Sequence, residues 1–139
     1  MFNNWFLSGL GSAICFAAMI LIYKKLFLLG IKPLVLNLFL FGFVFVGFIV
    51  WNSIAKNTIN LDLKIIFLLL VAAIFSLLGN YLDATAIKLA PNPGYASTLK
   101  ATQIIFISLL APIFFGSALG IIQFFGIFLV LVGIFFISK

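Results

Sequence analysis

An all-α integral membrane bundle of five transmembrane helices is the fold class that this sequence predicts. Three observations predict it. The chain is 66% hydrophobic and only 7% charged, whereas a soluble domain carries about 25% charged residues. Its apolar residues fall in five runs, each near the roughly 20 residues that a helix needs to cross a bilayer. None of the runs alternates in polarity with the length of about 10 residues that marks a membrane strand. At 139 residues the chain has room for one domain, read as residues 1–139.

The first helix is read over 5–23, from Trp5 to Tyr23, ending at Lys24-Lys25, with Gly30, Lys32 and Pro33 marking the turn that follows. The run lacks a basic leader and is too long for the core of a signal peptide, so it reads as a retained helix. The second helix, 34–51, closes on Trp51 and Asn52. Asn52 to Lys64 is the most polar stretch and reads as an aqueous loop. The third helix covers 65–88, apolar to Leu82 and continuing in pattern to Lys88. Pro91-Asn92-Pro93-Gly94 breaks the chain, because proline cannot continue a helix and restricts the residue before it. The fourth helix is read over 95–115, with Pro112 expected to kink it. The fifth covers 119–138. Gly116-Ser117-Ala118 is so short a link that these two helices form an antiparallel hairpin.

The net charge of +6 comes from eight lysines. They stand at the ends of apolar runs rather than in a patch, which suits topology and lipid headgroups and excludes nucleic acid as partner. With the N-terminus outside, Lys24, Lys25, Lys32, Lys88 and Lys139 fall on the cytoplasmic side, and Lys56 and Lys64 outside. The basic excess of cytoplasmic loops favours that orientation. The expected setting is an integral position in the cell membrane, the bacterial inner membrane. Cys15 is the single cysteine, so no intrachain disulfide forms; it reads as a small buried residue at a helix contact. With no histidine, no second cysteine, no carboxylate pair and no phosphate-binding glycine loop, the chain offers no metal site, no cofactor site and no catalytic constellation.

The polar residues within the apolar runs carry the functional reading. Charged groups at membrane depth cost roughly 2.5–3.5 kcal/mol each on insertion scales and usually line a pathway or pair with one another. Ser76, Asn80 and Asp83 share one face of the third helix, with Gly79 beside them. Lys100 and Gln103 share a face of the fourth, with Ser97 one turn earlier. Asp83 either lines a polar pathway or meets headgroup water; Lys100 either has a buried role or snorkels to the interface. The two lie at similar depth on antiparallel helices, so an ion pair between them is geometrically feasible. The candidate substrate- or ion-contacting set is therefore Asn80, Asp83, Lys100 and Gln103. Gly116, Gly120, Gly126 and Gly133, at and along the fifth helix, form the candidate helix-packing stripe.

The segment Asn80-Tyr81-Leu82-Asp83-Ala84-Thr85-Ala86-Ile87-Lys88-Leu89-Ala90-Pro91 resembles the end of the third helix in EamA-type domains of the drug/metabolite transporter superfamily. The likeness continues through Leu109-Leu110-Ala111, Phe115-Gly116, Gln123, Gly126 and Leu131-Val132-Gly133-Ile134, and the first helix fits with Lys24-Lys25 and Gly30-Ile31-Lys32-Pro33 after it. The usual member of that superfamily has two inverted five-helix halves; this chain is similar to one half. Ser117 stands where members often carry Glu. The chain has no Glu at all, including the first-helix Glu on which the small multidrug resistance proteins rely for proton coupling. Asp83 is then the carboxylate near the membrane left to carry a proton.

The resemblance implies a transporter of metabolite or drug-like small molecules. Its site would lie between repeats near the midplane, so a second repeat would come from a second copy or a related membrane partner chain, in a homodimer or larger assembly working by alternating access. The alternative is a non-transporting accessory membrane subunit of a larger complex, which carries no flux alone and has a stoichiometric partner.

Overall fold

The structure is a computed structural model describing residues 4–57, 61–116 and 120–137. Among these the secondary structure is helical, with no strand: α1 (Asn4–Leu28), α2 (Pro33–Ala55), α3 (Leu63–Leu89), α4 (Pro93–Lys100), α5 (Gln103–Phe115) and α6 (Ile121–Ile137). The all-α class stands. α1, α2 and α3 are 25, 23 and 27 residues long and apolar enough to cross a membrane, as is the 23-residue stretch of α4 and α5 taken together. α6 is a shorter apolar helix of 17 residues. The chain divides into two compact units, Met1–Leu89 and Ala90–Lys139, with the boundary at the proline-rich break. The sequence reading has one domain over the same span.

In unit 1 the helices overrun the apolar runs that announce them. α1 continues past Lys24-Lys25 to Leu28, since lysine is a good helix former and the end of an apolar run is not the end of a helix. It stops at Gly30, whose φ of +91° is a left-handed conformation that glycine adopts without penalty. The Ile31 amide donates to the Leu26 carbonyl at 3.2 Å and the Gly30 amide to the Phe27 carbonyl at 3.0 Å, the paired bonds of a Schellman ending. Pro33 then opens α2 at its first position, where its fixed φ and missing N–H cost nothing. α2 runs on to Ala55 and ends on Lys56, in the left-handed region at φ 52°. α3 starts at Leu63 because Asp62 caps it: the Asp62 Oδ1 accepts from the Ile65 amide at 2.7 Å.

α3 packs on both α1 and α2, and α1 also meets α2. The buried side chains of this unit are Tyr23 and Phe27 of α1, Pro33, Leu36 and Asn37 of α2, and Ala84 and Ile87 of α3. All lie near the C-terminal ends of α1 and α3 and the N-terminal end of α2, so α1 and α3 run the same way and α2 runs back beside them.

Unit 2 differs from the single fourth helix expected over 95–115. That helix starts earlier, at Pro93, because the Asn92 side chain caps it by accepting from the Gly94 amide at 2.8 Å. It is then interrupted at Ala101–Thr102. Around the interruption the ladder tightens to three-residue steps: Thr102 donates to the Leu99 carbonyl at 3.0 Å, Ile104 to Ala101 at 3.1 Å and Ile105 to Thr102 at 3.0 Å. The hydroxyls of Ser97, Thr98 and Thr102 each donate to a backbone carbonyl three or four residues back. Such side-chain bonds compete with the helical ladder and bend it. α5 ends at Gly116, left-handed at φ 63°, whose amide donates to the Pro112 carbonyl. The proposed link Gly116-Ser117-Ala118 and the ends of the expected helix 119–138 lie partly outside the described residues. α4 packs on α6, burying Ala96 and Ile134. An open apolar cleft between α5 and α6 is lined by Ile105, Ser108, Leu109, Phe124, Phe128 and Leu131.

Candidate functional site

Two members of the polar row on α3 meet directly. Asn80 donates from Nδ2 to the Ser76 carbonyl at 2.7 Å and to the Ser76 hydroxyl at 3.1 Å, so these two side chains share a face. Asn80 and Asp83 are both half-buried. Asp83 immediately precedes the buried Ala84 of α3, in the packed end of unit 1.

Two residues that the sequence reading left to topology or bulk stand in the same end. Lys24, one residue after Tyr23, donates from Nζ to the Ile87 and Lys88 carbonyls, each at 3.2 Å. These are among the last carbonyls of α3, which have no helical donor of their own. A cation there also meets the negative end of the helix dipole, worth about 0.3–1 kcal/mol at the surface and up to about 2 kcal/mol where partly buried. Asn37 of α2 is only 9% exposed, and its Oδ1 is enclosed with no hydrogen-bond partner. An enclosed acceptor left without a donor costs about 1–3 kcal/mol.

These groups are level with one another. Asn37 lies four residues in from the start of α2, Tyr23 five from the end of α1 and Asp83 six from the end of α3. At about 1.5 Å per residue, all three sit about 6–9 Å inside the helix ends. The sequence signal for Asn37 was available: an amide inside the apolar run Leu34 to Trp51 is the kind of polar group that faces protein rather than lipid. The sequence signal for Lys24 was not, since a lysine at the end of an apolar run ordinarily extends to headgroups.

The other two candidates belong to unit 2. Lys100 is the last residue of α4 and Gln103 the first of α5. Both are exposed, one on each side of the interruption. The glycine stripe faces open space where it is described: a Cβ added at Gly116, Gly126 or Gly133 would meet no atom within 4 Å. Among the described residues, no group of three His, Cys, Asp or Glu side chains is arranged to hold a metal ion.

Long apolar helices with large apolar side chains exposed along their whole length define an integral membrane protein. The model of the EamA-like transporter family matches residues 3–139. The chain belongs to that family, and thus to the transporters of the drug/metabolite type. No curated protein and no solved structure was found to match it.

Proposed function

We propose that this chain is a carrier of metabolite or drug-like small molecules that works by alternating access as a dimer or larger assembly in the bacterial inner membrane, with its N-terminus outside and its C-terminus cytoplasmic. The observation that carries the reading is the family match over 3–139. Substrate or coupling ion is contacted by Asn80 and Asp83 on α3 and by Lys100 and Gln103 about the interruption of the fourth span. Support comes from the half-burial of Asn80 and Asp83 and from the cost of such groups at membrane depth, which selects for a role. An interrupted helix is also how carriers build midplane sites. The second half of the pathway comes from another chain. The stripe Gly116, Gly120, Gly126 and Gly133 is the contact surface, since small residues let helix backbones approach closely.

Native mass spectrometry from nanodiscs, paired with uptake into proteoliposomes, tests the assembly. Dimers or larger species with flux are expected; a monomer that moves substrate would sink it, and an assembly with no flux for any small molecule returns the chain to an accessory role. Within the carrier, Asp83→Asn and Lys100→Met are each expected to cut uptake at least tenfold, with the double variant milder than the product of the two. Contacting or networked residues show coupling of about 0.5–3 kcal/mol in such cycles. Strict additivity would show that Asp83 and Lys100 act separately.

A further inference from the structure

Among the described residues, the helices of unit 1 bury their side chains at one end. Tyr23, Phe27, Leu36, Asn37, Ala84 and Ile87 are buried there. At the opposite end, the described residues of α1 before Gly11, of α2 after Val50 and of α3 before Leu70 include none that is buried.

The closed end contains two features that oppose each other. The Lys24 ammonium reaches from α1 to the Ile87 and Lys88 carbonyls and so ties α1 to the end of α3. The Asn37 Oδ1 is shut into the same end and finds no donor. If this end parted, water would reach that oxygen and supply one, since polar groups satisfied by water in an open state lose it on closure. A closed end holding such an acceptor is therefore less stable against opening than the same end lined by a leucine. Asn and Leu share a branched shape, so a leucine fits the same space.

We propose that the lysine-rich end of unit 1 is a gate, clasped by Lys24 across α1 and α3 and kept from locking by the orphaned carbonyl of Asn37. Both are positioning residues: they set how often the end opens and touch no cargo. The gate deepens the carrier reading above and rests on it for what passes. Its movement is nevertheless read without any flux.

The experiment uses the full chain in nanodiscs, with Cys15→Ser to remove the native thiol and Ala84→Cys as the reporter, because Ala84 is 0% exposed in the closed end. The reaction rate with N-ethylmaleimide measures opening. Asn37→Leu is expected to slow labelling about tenfold, since replacing an orphaned polar group by an apolar one of similar shape removes its desolvation cost. Lys24→Met is expected to speed it about tenfold by freeing the α3 carbonyls. Phe75→Cys, at 72% exposed on α3, should react at the same rate in all backgrounds. Leu36→Cys repeats the ranking from α2 and covers the case in which Ala84→Cys disturbs packing. An Asn37→Leu protein that labels as fast as its parent, or that fails to fold, overturns the gate; so does an unchanged rate in Lys24→Met. The expected ranking without uptake of any small molecule supports the gate while sinking the carrier. Uptake with unranked labelling does the reverse.

Discussion

The two ends of unit 1 are built from equally apolar helices, yet one packs and the other does not. At the packed end Tyr23 and Phe27 stand one turn apart with ring centroids 6.3 Å apart. They lie with Leu36 against a part of α3 whose small residue, Ala84, lets the helices close. Lys24 adds a hydrogen-bonded tie. At the other end Trp5, Trp51 and Leu63 are exposed, and hydropathy alone brings nothing together. In a bilayer, lipid tails are as apolar as leucine, so helix association comes from close packing and interhelical hydrogen bonds. Unit 1 closes where Ala84 and the Lys24 tie meet a neighbouring helix; at the other end Ser8, Gly9 and Gly11 of α1 are exposed, so small residues alone do not close it.

The strongest break of this contrast is a truncation in the packed end. Ile87 is 0% exposed, whereas Leu70, on the same helix toward the other end, is 60% exposed. Ile87→Ala should cost about 2–4 kcal/mol through lost contacts and the cavity left behind. Leu70→Ala should stay within about 1 kcal/mol, because lipid fills the space. Reversible unfolding in mixed micelles, followed by circular dichroism, measures both. Equal losses would mean that the open end is packed in solution as well.

A milder break compares two lysines. Lys24→Met removes the tie to α3 and should lower stability by about 1–2 kcal/mol, the upper range for a partly buried cation at a helix C-terminus. Lys64, exposed in the first turn of α3, sits at the positive end of the same helix dipole. Lys64→Met should therefore be neutral or stabilise by a few tenths of a kcal/mol. The same unfolding measurement, at two salt concentrations, separates them; a larger loss at Lys64 would contradict the assignment of the two ends.

How much of this was legible follows from the same contrast. The helical class and the order of the apolar segments could be read because a bilayer admits few other solutions. The Ser76–Asn80–Asp83 row could be read because helical spacing fixes which residues share a face. The interruption at Ala101–Thr102 could not, since it arises from several hydroxyls bonding back to the chain, and each of Ser97, Thr98 and Thr102 alone is ordinary in a helix. The roles of Lys24 and Asn37 depend on which helix lies alongside, and periodicity along one helix carries no record of its neighbour. The overrun of α1 and α2 past their apolar runs has a plain cause: a bilayer limits the apolar length of a helix, while caps such as Gly30 and Lys56 set where it ends.

The finest test concerns Asp62, which lies in the loop that the sequence predicts and caps the start of α3. Its Oδ1 holds the Ile65 amide at 2.7 Å, and its carbonyl accepts from the Ile66 amide at 3.0 Å. A carboxylate here caps an open N–H and faces the positive end of the helix dipole. Asp62→Ala should cost about 1 kcal/mol, within the usual range for losing such a cap. Because the cap lies at the end where no described residue is buried, the loss should remain local. Hydrogen exchange in nanodiscs is expected to quicken at the Ile65 and Ile66 amides and to leave the amides of Ala84 and Ile87 as they were. Faster exchange at both places would show that the first turn of α3 and its closed end move as one body, and the difference between the two ends would then lie in side-chain packing alone.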